Sequence, residues 1–548
     1  MGAGMRLVAG VAGWLDRTLV ELARQFRLSY LPPLLVYLAA GVSGLTGIVG
    51  TFFVKEYLGL SAEFLAGLAF WAGIPWALKM PLGHVVDLIW RWKAVLVYLG
   101  ALLLAASIAI MYGLIVHTGA MTSTMPAEAW YVLSVLLAPV GYVIQDVVAD
   151  AMTVEAVPTT DETGAPYGDD DVKFMHTTMQ TLGRVALISG LIVVAALNIF
   201  MFAGVADMAA AEKTRVYADI YRLALAIPAI SIAGVVLNEV LLRRRAARLR
   251  RRGVDAAEAA RLVFQPAERT RPNMWIFAGG GLFAAFTLAV GLGGLPYAQE
   301  VIFVGSMAIV GFLMHRLLLE LEPAQRRALL GTAAIIFTFR AVPLPGPGAT
   351  WWEIDVLGFD QQFLSVLTLI TSGLALAGML LARRLLARRT IAEVVAVLAL
   401  AGGLLSLPNI GLYYGLHHWT AAWTGGVVDA RFIAIFDTML ESPLAQIAMI
   451  PMLAWIAKNA PAHLKATFFA VMASFTNLAL SAASLGTKYL NQVYTIAREV
   501  RDAVTGAVVV PADYGELGWL LITVAVIAVA APLAVILAVQ RSSLRTRE

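Results

Sequence analysis

"TFFVKEYLGLSAEFLAGL" at residues 51–68 and "TWWEIDVLGFDQQFLSVL" at residues 350–367 decide how this chain is read. Thr, two aromatics, an acid, Leu-Gly and then Phe-Leu recur in the same order with no gap, once in each half of the sequence. The composition names the solvent in which the repeat folds. Hydrophobic residues make up 60% of the chain and charged residues 14%, and the mean hydropathy is +0.79. These values lie far outside those of a soluble globular chain. Apolar runs of about twenty residues, the length that crosses about 30 Å of hydrocarbon as a helix, recur along almost the whole sequence.

In order, the runs place spans near 31–54, 61–82, 94–116, 129–153, 175–203, 219–241, 274–296, 300–319, 329–345, 361–382, 391–408, 430–456, 466–489 and 515–539. Charge then sorts the connections. Seven arginines between Arg243 and Arg252 follow the sixth span, and Arg383, Arg384, Arg388 and Arg389 follow the tenth, whereas 117–128, 345–360 and 409–428 hold no Lys or Arg. The positive-inside rule puts both termini in the cytoplasm and the uncharged connections outside. This explains the pI of 9.1 without nucleic acid. Residues 1–30 carry apolar positions at helical spacing broken by Asp16, Arg17, Glu21, Arg24 and Arg27, which reads as a cytoplasmic helix on the membrane surface and not as a cleaved signal.

Both copies of the repeat bridge two spans on the outer face, 51–68 between the first and second and 350–367 between the ninth and tenth. Two six-span units therefore run in the same orientation, with a two-span hairpin between them. Parallel six-helix repeats are the architecture of the major facilitator transporters. The expected fold is an all-α membrane protein with about 14 transmembrane helices: a surface helix at 1–30, an N-terminal bundle at 31–241, a basic linker at 242–273, an inserted hairpin at 274–320 and a C-terminal bundle at 329–540.

A second correspondence concerns charge. "QDVVADAMTVE" in the fourth span carries Asp146 and Asp150, and "FDTMLESPLAQ" in the twelfth carries Asp437 and Glu441. Both are carboxylate pairs at i, i+4, stacked on one helix face, and both lie in the fourth member of their unit. Intramembrane acids are costly unless they face protein or water, so they read as functional, as carriers of a coupling proton; the alternative is that they pin helix ends to arginines. Asp146 and Asp437 precede their partners on helices running inwards and lie deeper. Arg184 in the fifth span and Arg340 at the end of the ninth offer guanidinium forks to a substrate carboxylate. The competing readings are a salt bridge from Arg184 to Asp146 or Asp150, and an Arg340 that snorkels to the interface. Asn477 and Ser474 hydrogen-bond either the substrate or a neighbouring helix. Lys79, Lys55 and Lys488 read as interfacial anchors, and Trp351, Trp352, Trp419 and Trp423 as an outer aromatic belt, the first two also suited to capping an outer gate. The acidic stretch 158–173 matches no Ca²⁺-loop spacing and reads as a solvated connection.

"GHVVDLIWRWK" after the second span resembles the cytoplasmic signature of the major facilitator superfamily, with Gly83, Asp87 four residues on, and then Arg91 and Lys93. The resemblance implies a gate latch at Gly83, Asp87 and Arg91. The second unit has Ala382 where the acid would stand, so the latch is one-sided. More finely, "KEYLGLSAEFLAGL", "IPWALKMPLGHVVD", "QDVVADAMTVE", "ATWWEIDVLGFDQQFL" and residues 450–486 resemble the folate-biopterin transporter family within that superfamily. That resemblance implies uptake of a folate, a pterin or another small organic anion, driven by protons, through a monomer in the bacterial cytoplasmic membrane.

The chain contains no cysteine, which removes disulfides, thiolate metal sites and cysteine nucleophiles. The Gly-x-Gly-Asp, His-Glu-x-x-His and Gly-x-Ser-x-Gly signatures of membrane-embedded or hydrolytic enzymes are missing. A secondary transporter without metal or cofactor is therefore expected. A transporter-like assembly or pigment-delivery factor without transport activity is the alternative.

Overall fold

The computed structural model describes residues 24–58, 60–158, 167–264, 274–293, 295–319, 321–386, 390–447, 465–501 and 508–545. Most of the expected surface helix at 1–30 and the centre of the acidic connection lie outside them. A helix stands at each of the fourteen expected spans. In chain order they are α1 (Leu28–Tyr57), α2 (Ala62–Leu78 with Pro81–Leu88), α3 (Trp90–Val116), α4 (Ala127–Ala156), α5 (Asp169–Met201) and α6 (Ala210–Arg251). Then come α7 (Met274–Leu292), α8 (Ala298–Leu318), α9 (Pro323–Arg340), α10 (Gln361–Leu386), α11 (Ile391–Tyr413), α12 (Ala430–Ile447), α13 (Lys465–Val493) and α14 (Leu517–Arg541). Ten of the described helices are long and apolar enough to cross a membrane unaided, and α2 makes an eleventh if its bent halves count as one span. A two-stranded hairpin, Val500–Arg501 against Val508–Val510, precedes α14.

Proline and small residues shape the bundle. In α2, Pro75 opens a 3₁₀ turn at Ile74–Leu78 and Pro81 follows, so the helix bends by 40° between its two parts. A missing N–H and a ring against the preceding turn produce such a bend. Lys79 sits at that bend. Helices α3 and α4 pack backbone to backbone through glycine: a Cβ at Gly100 would lie 2.6 Å from the Gly141 carbonyl oxygen, and one at Gly141 2.7 Å from that of Gly100. Close approach through small residues is how membrane helices gain dispersion contact where lipid offers no hydrophobic drive.

The first six helices pack mainly on one another, as do α9 to α14, and the two groups meet along α2 against α13 and α5 against α10. The α7–α8 hairpin lies over the first of these seams. It touches both α2 and α13, with Gln299 donating to the Gly67 carbonyl (3.1 Å) and Lys488 to Glu300 (3.0 Å).

Candidate functional site

The α2 bend and the i, i+4 face of α4 converge on one cluster. Lys79 Nζ lies 2.5 Å from Asp146 Oδ2 and 2.8 Å from Asp150 Oδ2, and Tyr37 of α1 donates its hydroxyl to Asp150 Oδ1 at 2.5 Å. The two acids share a face, as the spacing predicts, and Asp146 is the deeper, its side chain 18% exposed against 43% for Asp150. Lys79 is no interfacial anchor. It is the counter-ion within the bundle, because the proline bend turns a residue that hydropathy places near a span end towards α4. The salt bridge considered for Arg184 is taken by this lysine. Arg184 is exposed on α5, while its charge acts on Tyr37, Asp146 and Arg340. Its charged and polar neighbours thus come from both halves.

In the second half, Asp437 of α12 is 3% exposed and accepts a hydrogen bond from Asn409 Nδ2 at 2.8 Å. The side chain of Glu441 lies outside the described residues. Close to Asp437 stands Glu353, on a short helix Pro347–Asp355 in the connection between α9 and α10. Burial, and next the negative charge of Asp437, push the Glu353 carboxyl up to about 7. Sequence reasoning passed over this acid, since Val54 stands at the matching place in the first copy of the repeat. Arg340 is partly buried. Asn477 donates to the Trp76 carbonyl (3.3 Å), an interhelical contact, and Ser474 is buried with no partner for its hydroxyl among the described residues. At the other end of α2, Asp87 is exposed and Arg91 stacks on Trp92 (5.7 Å to the ring centre). Among the described residues Asp87 and Arg91 form no ion pair with each other.

The remaining anchors also change meaning. Lys55 pairs with Asp355 at 2.5 Å, joining the two copies of the repeat directly, and Tyr514 donates to the same carboxylate at 2.5 Å. Gln492 donates to Glu63 (2.6 Å) and Gln361 to the Tyr217 hydroxyl (2.8 Å). Of these, Lys55–Asp355, Gln492–Glu63 and Gln361–Tyr217 cross between halves on the face opposite the arginine-rich end of α6. Trp351 and Trp352 are not belt residues. They are 2% and 7% exposed, whereas Trp419 and Trp423 are 60% and 78% exposed, as a belt requires.

A cavity of about 520 Å³ opens within the first half, lined by α1, α2, α3, α4 and α6 and by Pro347 and Trp351 of the second. None of the charged residues of the cluster lines it. The cavity begins one turn away, for its Tyr142 precedes Asp146 by four residues on the same face of α4.

Solved structures share this architecture across nearly the whole chain. Peptide transporter POT in complex with sulfate aligns with a TM-score of 0.58 at 16% identity, covering 93% of this chain and 94% of its own. The nucleoside transporter NupG aligns with a TM-score of 0.50 at 13% identity, over 94% and 100% of the two chains. The fold is that of the major facilitator transporters, in a multi-pass membrane protein. A family model described as the BT1 family matches residues 270–545, and the chain belongs to that family, the folate-biopterin transporters. A curated relative, the folate-biopterin transporter of Synechocystis sp., is 23% identical over 158 residues, 29% of this chain and 31% of that protein. The match thus spans under a third of the relative's length.

Proposed function

We propose that this transporter takes up a folate- or pterin-like small organic anion together with a proton, by alternating access, as a monomer in a bacterial cytoplasmic membrane with both termini inside. The observation that carries the reading is the Lys79–Asp146–Asp150 cluster, with Arg184 of the next helix in its neighbourhood. One ammonium between two carboxylates leaves an excess negative charge, which suits a proton, and the guanidinium nearby suits a carboxylate. A proton arriving on Asp146 removes one of the charges holding Lys79. The ammonium has three donors, so one becomes available to the substrate. Proton and anion then favour each other's binding, which is what symport needs. Asp437 is the corresponding carrier of the second half, with Glu353 beside it. Asp150 and Glu441 serve the inner gate with Gly83, Asp87 and Arg91, and the bundles 31–241 and 329–540 rock about the α2–α13 and α5–α10 seams. The name of the Synechocystis relative supports the substrate class.

The test uses proteoliposomes loaded for accumulation under an imposed pH gradient and, separately, for exchange of labelled folate. Asp146→Asn should abolish accumulation while leaving exchange largely intact. Accumulation at the wild-type level in both Asp146→Asn and Asp437→Asn would remove these acids from proton coupling and favour sodium coupling or facilitated diffusion.

A further inference from the structure

We infer that the cavity in the first half is the seat of the substrate's flat heteroaromatic ring, roofed by Trp351 of the second half, with the ring's charged tail reaching towards the Lys79–Arg184 region. This placement rests on the folate–pterin reading above.

At about 520 Å³ the cavity has the volume of a small-molecule site, and it is mostly apolar with a few hydroxyls. Tyr131, Tyr142, Tyr221 and Trp351 supply aromatic surface, and Ser134 a polar group, on three different elements. Aromatic walls favour a flat π-system over a branched aliphatic one, through stacked and edge-on contacts. The cavity also begins one helical turn from the cluster: Tyr142 stacks above Asp146 on α4, and Ser43 lies six residues beyond Tyr37 on α1. A ligand with a flat aromatic ring and an anionic tail matches that sequence of surroundings. A sugar or a small amino acid does not. Trp351, 2% exposed, closes the site from the opposite half. Because it belongs to the repeat whose Asp355 pairs with Lys55, separating the halves on that face lifts the roof and breaks the ion pair in one movement. Binding and gating would then share a single element.

Gly50 provides the test. It lines the cavity, and a Cβ added there meets only the Tyr221 hydroxyl, at 3.9 Å. Gly50→Phe therefore fills the space from an unobstructed helix position where replacing glycine favours the helix. Full-length protein in phospholipid nanodiscs is titrated with the two parts of folate, pterin and p-aminobenzoylglutamate. The expected result is a fall in pterin affinity of at least about tenfold in Gly50→Phe, a smaller fall in Trp351→Ala, and p-aminobenzoylglutamate affinity held in both. Unchanged pterin affinity in Gly50→Phe overturns the placement, as does an equal loss of both probes. So does a phospholipid that the wild type retains and Gly50→Phe expels while pterin still binds. A wild-type protein that binds neither probe overturns the ligand class itself, and the placement with it.

Discussion

Lys79→Met is the sharpest perturbation of the cluster, because it deletes the cation shared by Asp146 and Asp150. Removing one partner of a buried pair costs about 3–5 kcal/mol, since the other charge stays desolvated and alone. Exposure decides how much of that applies. Asp150 is 43% exposed, so water screens its contact and that contact adds little. Lys79 and Asp146, 24% and 18% exposed, form the pair that matters, and their partial wetting lowers the expected loss to about 2–3 kcal/mol. Asp146→Asn keeps the 2.8 Å contact between Lys79 and Asp150, so it should cost only about 1 kcal/mol. In Lys79→Met/Asp146→Asn no carboxylate is left without its cation at the deeper position. The double variant should return to within about 1 kcal/mol of wild type, a coupling of about 2 kcal/mol. Denaturant unfolding of the purified protein, followed by tryptophan fluorescence, reads all four corners of the cycle. If Lys79→Met is no more damaging than Asp146→Asn and the two effects add, the lysine is a spectator and the argument is wrong.

Arg184→Lys keeps the charge and loses the bidentate fork, so folate binding should weaken by roughly tenfold in spite of the conservative change, and more in Arg184→Ala; wild-type affinity in the alanine variant would dispose of the role. Asp355→Asn removes the charge that holds Lys55 across the halves, and should lengthen the distance between labels placed on the 117–128 and 409–428 connections; an unchanged distance distribution takes Asp355 out of the gate. Glu353 is pushed up to about 7, so the folded protein holds a proton that the unfolded chain releases in the ordinary glutamate range. Its contribution to stability is complete in acid and is lost as pH rises through about 7. Melting temperatures at pH 5 and pH 8 should differ less in Glu353→Gln than in the wild type, and an identical difference would refute the assignment.

The spans, the duplicated halves and the paired acids of α4 are legible in the sequence because each rests on a local period: about twenty apolar residues, a repeated string, a spacing of four. Lys79 and Glu353 are not legible in that way. Hydropathy places Lys79 near the end of a span, where lysines ordinarily snorkel, and only the bend made by Pro75 and Pro81 turns it inward. Those prolines were the available signal, since a break inside a membrane helix exposes backbone that must be satisfied by a neighbour or a cavity. Glu353 is hidden for a different reason. It sits in a connection between two spans, and it is partly buried because "PGATWWEID" forms a short helix whose Trp351 lines the cavity of the opposite half. That contact belongs to the tertiary structure and has no period to betray it. Arg184 occupies an intermediate place: its depth is readable, but the lysine that takes its expected partners is not.

The repeat of residues 51–68 and 350–367 also shows how one duplicated string yields a contact between its two copies. Aligned without a gap, Glu56 corresponds to Asp355 and Val54 to Glu353, while Lys55 corresponds to Ile354. Each change converts symmetry into complementarity. Two copies of the second string would leave Asp355 facing an isoleucine and no cation. Replacing one Ile-type position by Lys55 gives Asp355 its partner at 2.5 Å, and the Tyr514 hydroxyl, from just before α14, closes the same carboxylate. Like charges facing each other would hold the halves apart, whereas an opposite pair of partly exposed groups holds them together weakly, worth roughly 0.2–1 kcal/mol. A gate needs that weakness. Populations near balance let a differential binding energy of a few kcal/mol, from anion and proton together, move the halves from one arrangement to the other, and a stronger latch would trap the transporter closed.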